Sequence, residues 1–408
     1  MTSVYGPATD WATDFDHADP EYNKNAPKIW EDLKASGCPI AHTDRYGGAW
    51  LPLTYDMVHE ISYDTQHFSS RSVVVGQMKP SEIPDAIPAP RGPVPPISSD
   101  PPFHDKARRL LLPIFAPKQI DPLNQVVRDF CNMQIDKMGD KEYIDAGVEY
   151  AQDIPVMVIS HLLGFPIEDA DKFRVWIHSA LEEIGESKEA READQMALAD
   201  YINKHIDERM ENPGDDLISY LLNAEMDGEK LTRDHVFGTV TLALIAGIDT
   251  TWSALGSSIW HLAGNSVDRR RVVENPAMIP QAVEEFLRAY APVTMARVVT
   301  EDVTFHGVEM KKEDWVLLPF PAANRDEAEF PHADKVDIDR EVNRHSAFGL
   351  GIHRCIGSNL ARLEINVAVE VFLERFPDFE LNTAEEVTWS LGQVRGPRKL
   401  PVRILARS

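Results

Sequence analysis

The longest apolar stretch of the chain covers residues 239–264. That is long enough to cross a bilayer at about 20 residues. Asp249 near its middle, and Thr, Ser and Trp residues spread along it, point instead to a helix buried at the centre of a large core, since a central carboxylate is costly in lipid. The helix is expected over 236–262. A second one is expected over 356–376, where Ile356, Leu360, Leu363, Val367 and Val371 recur at helical spacing. Ile365, Val369 and Phe372 widen its apolar face, so most of it should be buried. Residues 105–226 read as largely helical, broken at Pro213-Gly214 and Asp227-Gly228. Within them, 182–199 is charged and weakly apolar and reads as an exposed helix or lid. A short helix is expected over 27–36, with strands around Ile40 and over 49–53. A strand-rich region over 298–318 turns at His306-Gly307, and strand-like pieces occupy 391–405.

Residues 73–97 break the pattern with Pro80, Pro84, Pro88, Pro90, Pro93, Pro95 and Pro96. Each proline fixes φ and removes a backbone donor, which excludes a regular helix or central strand. The apolar members Val73, Val74, Val75, Ile83, Ile87, Val94 and Ile97 favour a loop that packs over something. The expected fold is mainly α with a smaller β region. It forms one domain over 1–408, sheet-rich near 40–55, 298–320 and 390–406.

Composition narrows the chemistry. A net charge of −25 disfavours non-specific contact with nucleic acid or anionic lipid. Cys38, Cys131 and Cys355 form no CxxC pair and cannot make a four-cysteine zinc site. An odd count suits a reducing compartment, and residues 1–19 are acidic, without the basic and apolar segments of a secretory leader. A cytoplasmic, non-membrane protein is expected.

The strongest local signal is Phe348-Gly349-Leu350-Gly351-Ile352-His353-Arg354-Cys355-Ile356-Gly357. Glycines permit tight curvature and close approach of a flat ligand. Cys355 falls where the last helix should start, and a helix N-terminus stabilises a thiolate. A lone cysteine is usually a small buried apolar residue; the full pattern around this one argues for a metal ligand. The loop resembles the haem-binding loop of cytochromes P450, and Asn359-Leu360-Ala361-Arg362-Leu363-Glu364 continues the resemblance.

That resemblance implies the cytochrome P450 fold, a helical bundle enclosing haem b, with Cys355 as the iron ligand. Phe348, Gly349, Gly357 and Ala246 would contact the haem. Basic groups must meet its two propionates, and His104, Arg108, Arg297 and His353 are the matching candidates; His345 is either a further one or only a cap on the loop. Read singly, each is an ordinary solvated charge. Glu285 and Arg288, at i and i+3, form either a surface pair or, with Arg340, the family's buried ExxR network. Residues 246–251 are either a polar seam or the family's acid–alcohol motif. In the latter, Asp249 and Thr250 relay protons to bound O2, with Gly247 and threonine back-bonding opening the helix locally.

The implied reaction inserts one atom of O2 into a small-to-medium hydrophobic substrate, a terpenoid or substituted aromatic. Electrons come from NAD(P)H through a ferredoxin reductase and an iron–sulfur ferredoxin. Pocket walls are expected from 73–97, 242–246, 293–296 and 393–394, with Val75, Leu242, Val293 and Val394 as named members. Arg91 or Arg395 would meet a substrate carboxylate, or else be structural. Lys106, Arg108, Arg109, Arg344, Arg354 and Arg362 form an expected basic patch for an acidic ferredoxin. A peroxide-driven peroxygenase and a non-catalytic haem sensor or carrier are the alternatives.

Overall fold

The computed structural model describes residues 5–76, 79, 81, 92–181, 188–390 and 392–408. Arg91, the prolines at 80, 84, 88 and 90, Ile83, Ile87 and residues 182–187 of the expected lid lie outside the described residues.

The central helix runs over Arg233–Gly264, capped by the Thr232 hydroxyl, which accepts from His235 N–H at 3.2 Å. Val236, Val240, Leu244, Ile248, Leu255, Ile259 and Leu262 are buried in one continuous core. The helix packs against Asp153–Leu163, Ser358–Arg375 and Ile279–Ala289. It is long and apolar enough to cross a membrane, but here it is enclosed by helices of its own chain. Two glycines allow this enclosure. A Cβ on Gly238 would sit 2.3 Å from Pro93 O, and one on Gly247 would sit 2.5 Å from Ile159 Cδ1. The Thr239 hydroxyl donates to Pro95 O at 3.3 Å, so the end of the proline-rich segment lies on this helix.

The final helix covers Ser358–Arg375. It begins two residues later than the apolar period suggests, because Ile356 belongs to the preceding loop and Gly357 is the N-cap. Cys355 therefore precedes the helix instead of opening it.

Five strands form the larger sheet, in the order Ile40–Thr43, Ala49–Pro52, Trp315–Pro319, Thr294–Val299, Phe68–Ser69. All five residues of Trp315–Pro319 are buried, as befits a central strand covered on both faces. Val303–Phe305 and Val308–Met310 form a hairpin whose turn residues His306 and Gly307 both have positive φ, 46° and 83°. Asp227-Gly228 makes a similar turn between Glu225–Met226 and Glu229–Lys230.

Three elements differ from expectation. The first helix is Pro20–Ala35, since Asp19 caps it and Pro20 opens it; Pro27 lies inside, just past a kink at Asn25. The larger sheet already includes Thr294, four residues before 298. Tyr143–Asp145, within a stretch that reads as helical, is a strand paired with Pro401–Ala406. Three residues are too few to display a period of two.

Candidate active site

The cysteine loop is shaped by two glycines. Gly349 and Gly351 have φ of 70° and 66°, and a Cβ on Gly351 would lie 2.2 Å from Ser62 O. Gly357 differs: its φ is −81°, and a Cβ there would meet the Cys355 sulfur at an ordinary 4.0 Å. Its contribution is its N–H, which donates toward that sulfur. The Cys355 N–H donates to Phe348 O at 2.7 Å, closing the loop on itself. The sulfur faces a cavity of about 520 Å³. Burial in the protein body pushes the free thiol up; the Gly357 N–H and Arg108, Arg354 and Arg362 oppose this.

Arg108, Arg297 and His353 line the same cavity, and His104 packs against His353. The His104 and His353 rings lie 4.3 Å apart, and both Nε2 atoms are buried without a protein partner. Arg108 donates to Arg354 O at 2.6 Å, and Arg297 donates to Ala296 O at 2.8 Å. Burial lowers the pKa of all four. Arg297 comes down to about 10, while His353, further repelled by Arg297, His104 and Arg108, falls to about 2. Four basic side chains turned toward one another, with two imidazole nitrogens unmatched, make a receptor for anionic groups.

On the central helix, Ala246, Gly247, Asp249 and Thr250 line the cavity. The Thr250 hydroxyl donates to Ala246 O at 2.6 Å, the expected one-turn back-bond. The helix is nevertheless continuous here, so the expected local opening does not occur; Gly247 serves instead to admit Ile159. Asp249 is 3% exposed and paired with Arg398 at 2.7 Å. Arg398 also donates to Ser253 Oγ and lies 4.1 Å over the Trp252 ring. Nothing in the pattern of the chain marks Arg398, which comes from the distant strand Pro397–Lys399.

Beneath the loop, Glu285 and Arg288 are both wholly buried and joined by two hydrogen bonds of 2.8 and 2.9 Å. Glu285 also accepts from Arg340 Nε, Asp337 N–H and Asn343 Nδ2 at 2.9 to 3.0 Å. Arg288 donates to the carbonyls of Asn324, Ala333 and Lys335. Of the two readings of this pair, the buried network is the one formed. The neighbouring Glu284 binds Arg362 through both oxygens and His345 Nε2 at 3.0 Å. His345 Nδ1 accepts the Ala347 N–H, so this residue does cap the loop. Burial would raise the Glu284 pKa, but His345 and Arg362 overcome it and hold the carboxyl near 2.

The pocket walls include Leu242, Val293 and Val394, the last two joined by an isolated β-bridge. Val75 is a correction. The chain bends at Val74, leaving Val73 and Val74 on the cavity while Val75, 1% exposed, packs with Ala296, Val298 and Leu317 in the sheet core. Arg395 does not line the cavity; it donates to Asn23 O at 3.0 Å and lies over Trp389. The expected basic patch is also reduced. Arg108 turns into the cavity and Arg362 is held by Glu284; Arg109, Arg344 and Arg354 remain exposed, as does Lys106, which pairs with Asp227.

A family model described as Cytochrome P450 matches residues 156–394. Mycinamicin IV hydroxylase/epoxidase of Micromonospora griseorubida is 34% identical over 362 residues, covering 87% of this chain and 89% of that protein. Among solved structures, CYP109Q5 from Chondromyces apiculatus is similar with a TM-score of 0.85 at 31% identity, covering 98% of this chain and all of that one. CYP109E1 from Bacillus megaterium, solved in complex with testosterone, is similar with a TM-score of 0.83 at 29% identity, covering 95% of this chain and 99% of that one.

Proposed function

The chain belongs to the cytochrome P450 family, and from that premise we propose that it inserts one atom of O2 into a small-to-medium hydrophobic organic molecule, with electrons from NAD(P)H passed through a ferredoxin reductase and an iron–sulfur ferredoxin. Haem iron is the family's cofactor. The form proposed is haem b, because no CxxCH sequence is present to attach a porphyrin covalently. The residues fit such a group. A thiol opens into the cavity, and a cluster of His104, Arg108, Arg297 and His353 awaits the two propionates. When bound, a haem held by a cysteine thiolate would supply O2 binding and O–O cleavage.

The chain's own residues supply the rest. Cys355 is the residue that would hold the iron, its sulfur approached by the Gly357 N–H and by nearby arginines. Phe348, Gly349, Gly357 and Ala246 line the cavity and would contact the flat group. Thr250 presents a hydroxyl whose proton is held by Ala246 O, leaving its oxygen lone pairs toward the cavity. Asp249 is the proposed proton donor to this threonine, and its pairing with Arg398 holds and directs the carboxyl group. Leu242, Val293, Val394, Val73 and Val74 exclude water and take the apolar body of the substrate. The network of Glu285, Arg288 and Arg340 is the proposed clamp on the segment leading to the cysteine loop.

A single observation carries the reading. One cavity holds a cysteine sulfur, the Asp249–Thr250 pair and an otherwise mainly apolar wall. Its test is the carbon monoxide difference spectrum of the reduced protein. The thiolate band is expected in the wild type and absent in Cys355→Ala; an unchanged spectrum in that variant sinks the proposal.

A further inference from the structure

One ring in the cavity is used neither by the basic cluster beside Cys355 nor by the Asp249–Thr250 pair. His17 lies in the segment before the first helix, is 2% exposed, and lines the same cavity as Thr250 and Cys355. Neither of its ring nitrogens has a hydrogen-bond partner in the protein. The ring is nonetheless well fixed. Its main-chain carbonyl accepts from Asn23 Nδ2 at 3.3 Å, and Asn23 O accepts from Arg395 Nε at 3.0 Å. Those bonds tie the segment to the turn that carries Gln393 and Val394, two other cavity residues. On its other side the ring packs 5.1 Å from that of Tyr46, whose hydroxyl is bound by Asp16.

Burial holds the imidazole neutral, its pKa falling to about 4 even though Asp16 pulls the other way. A neutral imidazole has one donor and one acceptor. Leaving both unmatched in a buried site is unfavourable, so the ring is set to be completed by a polar atom of a ligand. Val73, Val74, Leu242, Val293 and Met295 give that ligand apolar surroundings. A carboxylate guest would need a cation beside it; Arg398 is paired with Asp249, Arg108 and Arg297 belong to the proposed propionate cluster, and Arg395 is committed to Asn23 and Trp389 outside the cavity.

We propose that His17 is the polar anchor of the substrate site, recognising a hydroxyl or carbonyl oxygen carried on an otherwise apolar body. The substrate class is then an apolar alcohol or ketone, and the anchor decides which carbon is presented beside Thr250. This deepens the monooxygenase reading above and rests on it.

The test is calorimetric titration of the haem-loaded protein with matched probes: borneol and bornane, menthol and menthane, testosterone and androstane. In the wild type the oxygenated member of a pair is expected to bind about tenfold more tightly, the worth of one neutral hydrogen bond in a dry site. His17→Phe keeps a flat ring and removes both nitrogens. It should bring the ratio close to one while leaving hydrocarbon affinity within about twofold, a shift too small for one lost hydrogen bond. His17→Gln, which keeps a donor and an acceptor, should retain part of the preference, and it stands in if the phenylalanine variant does not fold. The proposal is overturned if the preference survives His17→Phe, if His17→Gln abolishes it as fully as His17→Phe does, or if the wild type shows none, including the case in which no probe binds. Loss of the carbon monoxide band in the wild type would instead strike the monooxygenase reading, so the two failures are distinct.

Discussion

Replacing Glu285 with alanine removes the one anion from a site with two cations. Arg288 has no exposed surface and Arg340 has 9%, so neither can recover its hydration without moving the backbone around it. Breaking a buried pair from one side costs about 3–5 kcal/mol. The Asp337 N–H and the Asn343 amide also lose their acceptor, and even at the low end this adds about 1 kcal/mol. A total near 4–6 kcal/mol is comparable with the whole stability of many proteins, roughly 5–15 kcal/mol. Lys28→Ala is the control: its pair with Asp32 is 70% and 64% exposed and should contribute no more than about 0.5 kcal/mol. Equilibrium urea unfolding followed by tryptophan fluorescence measures both. The carbon monoxide band should fade before global unfolding, because Arg288 holds the carbonyls of Asn324, Ala333 and Lys335 on the way to the cysteine loop. Replacing Glu285 and Arg288 together with leucine should recover more than half the loss, since the cost lies in uncompensated charge. If Glu285→Ala and Lys28→Ala agree to within about 1 kcal/mol, burial is not what gives this network its strength.

Asp249→Asn should cut product formation by about a hundredfold with substrate binding unchanged, and raise the solvent deuterium isotope effect; an unaltered isotope effect removes Asp249 from proton delivery. Charge reversal at Arg109 or Arg344 should weaken ferredoxin-supported turnover and flatten its salt dependence, whereas equal salt slopes would place the docking face elsewhere. Glu284 gives a pH signature: its pKa in the folded protein lies below the unfolded value. Its stabilising effect is present above the unfolded carboxylate range and is lost as pH falls from about 4.5 toward 2. Glu284→Gln should therefore flatten the acid limb of a thermal stability profile, and an unchanged limb would refute the pairing with His345 and Arg362.

Legibility followed the length scale of the interactions. The central and final helices could be read because each repeats its apolar spacing over many turns. The cysteine loop, Asp249–Thr250 and Glu285–Arg288 are local in sequence, so their residue types could be matched to chemistry before any fold was known. Arg398 could not, because its meeting with Asp249 depends on a strand that returns from far along the chain. Tyr143–Asp145 is too short to carry a period, and Val75 could not be separated from Val73 because a single bend at Val74 decides which side each faces. The basic patch is smaller than expected for a related reason: some of the charges adjacent in sequence are engaged separately by Glu284, Asp227 and the cavity.

The bond between Asp249 and Arg398 also has a history in time. The aspartate leaves the ribosome about 150 residues before its arginine, which at 5–20 residues per second is roughly 7–30 s of elongation. Through that interval the helix that will sit at the middle of the molecule carries a carboxylate whose eventual counter-ion has yet to be translated. Closure of the protein around Asp249 therefore belongs among the last events of its biogenesis, and a ribosome stalled short of codon 398 should hold a nascent chain in which this helix is still open to proteolysis.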